Sequence, residues 1–283
     1  MYPMPFDYEV AESVDHAIDL LGQHGEDSKL LAGGHSLIPL MRLRLATPTV
    51  LIDLDRVDDL RYVRDEGDHL AIGALTRHRE VLNNPLVQEH CGILSYTAGL
   101  LGDPSVQHRG TIGGTMAHGD PSGDMPSVIS ALEGTLVVQG PDGERTIPAL
   151  DFFQDYLFTA LEPQEIITEV RVSKLGLNTG WAYKKFSRRS QDWAIVGVAA
   201  VVERNNGSID SARIGLTSMG STPIRARAVE EALSGASTDE VAEAANAADE
   251  GTEPASDGAA TADFRRHLAR VWTRRALEEA LAR

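Results

Sequence analysis

Two short glycine clusters, Ala32-Gly33-Gly34-His35-Ser36 and Thr111-Ile112-Gly113-Gly114-Thr115, stand eighty residues apart in a chain of 283. Each sets paired glycines beside a small hydroxyl residue, where an apolar run gives way to a new segment. Glycine lets backbone approach another surface closely and take positive φ, and successive exposed N–H groups bind anion oxygens. A single cluster is what any tight turn needs. Two matching clusters suggest one large anion gripped from both sides, and a dinucleotide pyrophosphate fits that description. On this reading, residues 33–36 and 111–114 cradle the phosphates, and a Cβ at Gly34 or Gly113 blocks their approach.

The formal net charge of −16 argues against nucleic acid or an anionic membrane as the main partner. Lysine occurs only at positions 29, 174, 184 and 185. Either a GC-rich genome or adaptation to concentrated salt, which screens an acidic surface, accounts for that balance. The single cysteine, Cys91, excludes an internal disulfide and any iron–sulfur cluster or Cys-rich zinc site built from this chain alone. No apolar run approaches membrane-spanning length, and Met1-Tyr2-Pro3-Met4-Pro5 lacks the regions of a signal peptide, so a cytoplasmic protein is expected.

Three regions separate along the chain. In the first, a strand or loop from Phe6 leads into a helix to Leu20 capped by Ser13. Strands at 29–32 and 50–54, with a helical stretch from Ser36 to Leu45 between them, complete a small α/β unit. The second region has a strand from His69 to Thr76, with Thr76 capping a helix that begins near Arg77, and another helix from Leu86 to Leu101. Asp124 caps a helix running to Leu132. The segments 135–139 and 144–147 flank Pro141-Asp142-Gly143 as a hairpin, and 165–172 is a further strand. In the third region, 181–187, 194–203 and 208–219 read as three antiparallel strands, the last two joined by Asn205-Asn206-Gly207. Helices follow at 224–233 and 238–248, then an exposed acidic loop at 249–260. Phe264, Leu268, Val271, Trp272 and Leu277 form the core seam of the last helix.

At these residues a resemblance emerges. Ala32-Gly33-Gly34-His35-Ser36-Leu37-Ile38-Pro39-Leu40-Met41 resembles the first flavin motif of the medium, FAD-binding subunit of molybdenum hydroxylases, the xanthine dehydrogenase and carbon monoxide dehydrogenase family. Arg109-Gly110-Thr111-Ile112-Gly113-Gly114-Thr115, with Ala117-His118-Gly119-Asp120-Pro121 and Asp124, resembles the second. Tyr183-Lys184-Lys185-Phe186-Ser187-Arg188-Arg189 and Asp192-Trp193-Ala194 resemble the opening of that family's C-terminal domain. The resemblance is to carbon monoxide dehydrogenase-type medium subunits in particular. His35 stands where glutamine is common, and Thr115 where asparagine is.

The resemblance implies an α+β fold. A two-lobed FAD-binding domain of the vanillyl-alcohol-oxidase/PCMH type would cover 1–175, with a small lobe to about 56, and a C-terminal domain of three antiparallel strands packed with helices would cover 176–283. It implies non-covalent FAD, despite a histidine at 35. It places Ala74 and Thr76 near the flavin, Asp124 near its polar portion, Ile167 near the ring system, and Lys184 or Lys185 close by. Neighbours on a strand face opposite ways, so only one of the two lysines can point inward. His118, Asp120 and Asp124 could be drawn as a metal site, but the prolines and glycines between them suit a loop clasping a cofactor. His78 and the remaining histidines have no constellation around them and read as surface residues.

The implied role is an oxidoreductase subunit that carries electrons from a partner's [2Fe-2S] clusters to an external acceptor, with no catalytic residue of its own. Molybdopterin and the clusters would sit on large and small partner subunits, in a dimer of heterotrimers. The competing readings are a free-standing FAD-dependent oxidoreductase with its own substrate site, and an assembly subunit that has lost FAD. Both intact glycine clusters oppose the last.

Overall fold

The computed structural model describes residues 2–205 and 207–283. Met1, at the start of the segment read for a signal peptide, and Asn206, in the turn expected between two strands, lie outside the described residues.

Strands β1 (Asp7–Val10), β2 (Ser28–Leu31) and β3 (Val50–Asp53) form a parallel sheet with β3 in the middle. Parallel neighbours need crossovers, which α1 (Val14–His24) and α2 (Leu37–Leu43) supply. Ser13 caps α1 by accepting from the His16 N–H at 3.1 Å. Ala17, Ile18, Leu20 and Leu21 of α1 face Ile52 and Leu54, and Leu75 and Ile166 from the next region complete this core.

An antiparallel sheet of five strands follows. It orders β4 (Val63–Asp65), β5 (His69–Gly73), β6 (Thr135–Gly140), β7 (Gly143–Pro148) and β10 (Ile166–Ser173) as β4-β5-β10-β6-β7. Strands β6 and β7 are the expected hairpin. Short strands β8 (Phe153–Asp155) and β9 (Phe158–Thr159) pair beside it. Between β5 and β6 run α3 (His78–Asn83), α4 (Pro85–His90), α5 (Gly92–Gly99), α6 (Pro104–Arg109), α7 (Ile112–His118) and α8 (Asp124–Ala131). The helix expected over 86–101 is thus two, broken at Cys91, whose thiol burial pushes its pKa up to about 12. Asp124 does not cap α8: Gly123 holds the N-cap and Asp124 is the first helical residue.

The last sheet has four strands, not three: β11 (Thr179–Phe186), β12 (Val196–Asn205), β13 (Ser208–Thr217) and β14 (Ile224–Arg225), in that order. The helical reading of 224–233 missed β14, because only two residues pair with β13 before α10 (Arg227–Leu233) begins. The expected helix over 238–248 keeps only one short α segment, α11 (Val241–Ala244), between 3₁₀ turns. Helix α12 (Ala262–Ala282) closes the chain.

Period-two alternation gives this sheet two buried faces. Tyr183, Ala199 and Val201 join the core of the five-stranded region, whereas Ala182, Val198, Ala200 and Val202 pack toward α12. The seam of α12 is Leu268, Ala269, Ala276, Leu277 and Ala280, and its alanines let the helix lie close. Phe264 is instead 43% exposed and meets Phe186 edge-on. The acidic loop is pinned at its ends by Arg270–Asp249 and Arg265–Asp257 pairs, each 2.6 Å.

Candidate functional site

A cleft of about 800 Å³ opens where the three sheets meet, within the usual range for a small-molecule site. The two glycine clusters abut in its wall. A Cβ on Gly33 would enter the carbonyl of Arg109, and one on Gly114 would lie 3.8 Å from Ala32 Cβ. Residues eighty positions apart in sequence therefore form one surface, and the absence of a Gly33 side chain is what brings them together.

The clusters differ in what they offer. In the first, the N–H groups of Gly33, Gly34, His35 and Ser36 donate to no other group among the described residues. Gly34 has φ of +75°, and the Ser36 side chain makes no capping bond to α2. Four unengaged donors in sequence, leading into a helix, are a nest for anionic oxygen.

The second cluster is bonded inward, contrary to the expected second cradle. The N–H groups of Ile112, Gly113 and Gly114 donate to Thr76 O (3.0 Å), Ala74 O (2.9 Å) and Thr111 Oγ1 (3.1 Å). The first two bonds hold α7 against the segment that follows β5, and the third caps α7. A Cβ at Gly113 would meet Ala74 O at 2.8 Å rather than block the cleft, so this glycine serves helix–strand packing. What the second cluster adds to the cleft is surface and the Thr111 and Thr115 hydroxyls.

Of the remaining candidates, Ala32, Leu37, Ala74, Gly110, Asp120, Asp124, Ile167 and Lys185 also line the cleft. Thr76, Ile112 and Lys184 do not. The Thr76 hydroxyl donates to Tyr62 O at 2.9 Å and accepts from Tyr62 N–H at 3.2 Å, which ties two backbone segments together. It caps no helix: Arg77 is the N-cap of α3. Ile112 is wholly buried in the main core.

The lysines separate as strand alternation requires. Lys184 points to the α12 side and pairs with Glu279. Lys185 points the other way and meets Asp124 Oδ2 at 2.7 Å, its side chain only 8% exposed. Asp124, 3% exposed, also accepts from the Tyr183 hydroxyl at 2.6 Å. Burial raises the Asp124 carboxyl, and the charge and hydrogen bond of Lys185 pull it back. Asp124 is therefore engaged with Lys185 and Tyr183, not poised with His118 and Asp120 around a metal. The Asp120 carboxylate accepts from Ser122 N–H at 2.8 Å and shapes the intervening turn.

One residue taken for a surface histidine belongs here. His78 is 3% exposed, lines the cleft, and has Nε2 3.0 Å from Thr115 Oγ1. The legible signal was its place at the start of α3, two residues after the end of the strand expected over His69 to Thr76. Phe158, Gln191, Asp192 and Trp193 also line the cleft, with Trp193 57% exposed at its wall.

The cleft's unengaged donors, volume and buried cation meet the demands of a flavin dinucleotide, and the comparisons with known proteins agree. The family model for the FAD binding domain in molybdopterin dehydrogenase matches residues 4–174. This chain belongs to the FAD-binding medium subunits of the carbon monoxide dehydrogenase-type molybdenum hydroxylases. It is thus an oxidoreductase subunit whose cofactor is FAD.

The model for the CO dehydrogenase flavoprotein C-terminal domain matches residues 181–280 of the subunit. The carbon monoxide dehydrogenase medium chain of Hydrogenophaga pseudoflava is 43% identical, over 100% of this chain and 99% of that one. The 6-hydroxypseudooxynicotine dehydrogenase complex subunit alpha of Paenarthrobacter nicotinovorans is 38% identical, over 100% and 97%. The solved structure of Hydrogenophaga pseudoflava carbon monoxide dehydrogenase lacking the Mo-pyranopterin moiety superposes with a TM-score of 0.98 at 44% identity, covering 100% of this chain and 99% of that one. Among the described residues, no helix is long and apolar enough to cross a membrane.

Proposed function

We propose that this subunit passes electrons from the [2Fe-2S] clusters of a small partner to an external acceptor, the clusters being reduced in turn by a large molybdopterin subunit. Bound FAD supplies the redox chemistry, and the protein supplies binding, orientation and electrostatics. The observation that carries the reading is the cleft lined both by residues 33–36, with their four unengaged N–H groups, and by the Lys185–Asp124 pair. The loop N–H groups and the Ser36 and Thr111 hydroxyls hold the pyrophosphate without covalent attachment. Asp124 fixes the Lys185 ammonium, and Trp193 offers an aromatic face at the opening. The FAD-binding domain ends near 175, after β10, and the C-terminal domain begins at about 176. Its two lobes divide near 56, after β3. The assembly is a dimer of heterotrimers in the cytoplasm. Substrate choice lies outside this subunit, on the large partner; the different substrates named for relatives of 43% and 38% identity support that reading.

Acid extraction of the purified chain is expected to release free FAD, in roughly one-to-one amount. Recovery of FMN alone, or flavin retained on the denatured polypeptide, would refute that. Rapid mixing with carbon monoxide, aldehydes or N-heteroaromatics should bleach the flavin only in the co-expressed three-subunit complex. Fast bleaching of the isolated chain by an organic substrate would instead make it a free-standing flavoenzyme.

A further inference from the structure

His78 is the first residue of α3 and sits against Gly110, where an added Cβ would meet its Cδ2 at 2.8 Å. Its Nε2 lies 3.0 Å from Thr115 Oγ1, while Nδ1 is shielded from water and has no hydrogen-bond partner among the described residues. Burial, reinforced by His35, pushes the ring pKa down to about 4, so the imidazole is neutral near pH 7 and carries one proton. Were that proton on Nδ1, a buried N–H would be orphaned. On Nε2 it leaves only a bare lone pair, and orphaned buried donors are the rarer case. The proton therefore belongs on Nε2, and the ring donates to the Thr115 hydroxyl oxygen.

The hydroxyl then has its own proton left to give. The Thr115 N–H is already bonded to Thr111 O at 3.1 Å, and the hydroxyl makes no other bond among the described residues. Thr115 lines the cleft. We infer that His78 is a positioning residue that, by donating to Thr115, turns the Thr115 O–H into the cleft as a fixed donor to an anionic oxygen of FAD. Donation into one end of a hydroxyl strengthens donation from the other. The inference rests on the FAD reading above and adds a residue that acts on the cofactor only through another.

The test is FAD titration of the full-length apo chain by flavin fluorescence, with ³¹P NMR of the bound pyrophosphate. It uses His78→Leu, His78→Gln, Thr115→Val and the double variant His78→Leu/Thr115→Val. Each of His78→Leu and Thr115→Val should weaken FAD about tenfold, as loss of one bond to a charged acceptor does. His78→Gln, which keeps an N–H donor near the Nε2 position, should stay within about threefold of wild type. In the Thr115→Val background, His78→Leu should cost nothing more, because its effect passes through the absent hydroxyl. Both single variants should shift the same phosphorus resonance. Additive losses, or a glutamine variant as weak as the leucine variant, would overturn the inference. Should His78→Leu fail to fold, unchanged FAD affinity and phosphorus spectrum in Thr115→Val would overturn it alone. A wild-type chain that binds no FAD would overturn the proposed function instead.

Discussion

Lys185→Met is expected to destabilise the folded subunit by about 3–5 kcal/mol, the usual effect of removing one partner from a buried ion pair. The Asp124 carboxylate would then remain 3% exposed, with the Tyr183 hydroxyl as its remaining side-chain donor. The effect has a pH signature. Burial already raises the Asp124 pKa, and Lys185 opposes the rise, so removing Lys185 lifts it further. A carboxyl with a folded pKa above its unfolded value binds more protons when folded. Its contribution to stability is present below the unfolded pKa and is lost as pH rises through the folded one. The deficit of Lys185→Met should therefore shrink on acidification from pH 7 toward the ordinary aspartate range, and grow on the alkaline side. Asp124→Leu/Lys185→Met should recover most of the loss, since no buried charge is left. Denaturant midpoints across pH check this. A pH-independent deficit, or a double variant no better than the single, would show that the two groups are not coupled.

Gly33→Ala should weaken FAD by about two to four orders of magnitude, the equivalent of two charge-assisted hydrogen bonds at roughly 1.5–3 kcal/mol each. The methyl group has nowhere to go but into the Arg109 carbonyl, so the first loop must back away from the second. Gly34→Ala is the informative contrast. Its Cβ meets mainly the flexible end of Ile38, at 2.7 Å from Cδ1, and its chief difficulty is φ of +75°. That strain is on the order of 1–2 kcal/mol, and FAD affinity should fall less. Flavin titration alongside far-UV circular dichroism separates lost binding from lost fold. Equal affinities in Gly33→Ala and wild type would mean that contact between the clusters is unnecessary for the site.

Much of the architecture could be read along the chain because it rests on local rules. Two strands of the first region were visible as apolar runs, at 29–32 and 50–54. The β6–β7 hairpin was visible in Pro141-Asp142-Gly143, and α1 in its Ser13 cap. The misreadings came where a neighbour overrode the local pattern. Cys91 breaks a segment that reads as one helix, β14 exists only because β13 offers an edge, and Phe264 leaves the helical stripe to meet Phe186.

The site divides along the same line. Strand alternation alone determined that Lys184 and Lys185 face opposite ways, since that follows from backbone covalent geometry. Only the tertiary structure decided which cluster keeps its N–H groups unengaged, which lysine meets Asp124, and that His78 is buried against Thr115. Those outcomes depend on where carbonyls and carboxylates from elements tens of residues away come to rest. A hydrogen bond or an ion pair is settled by distance in space, which the order of residues does not state.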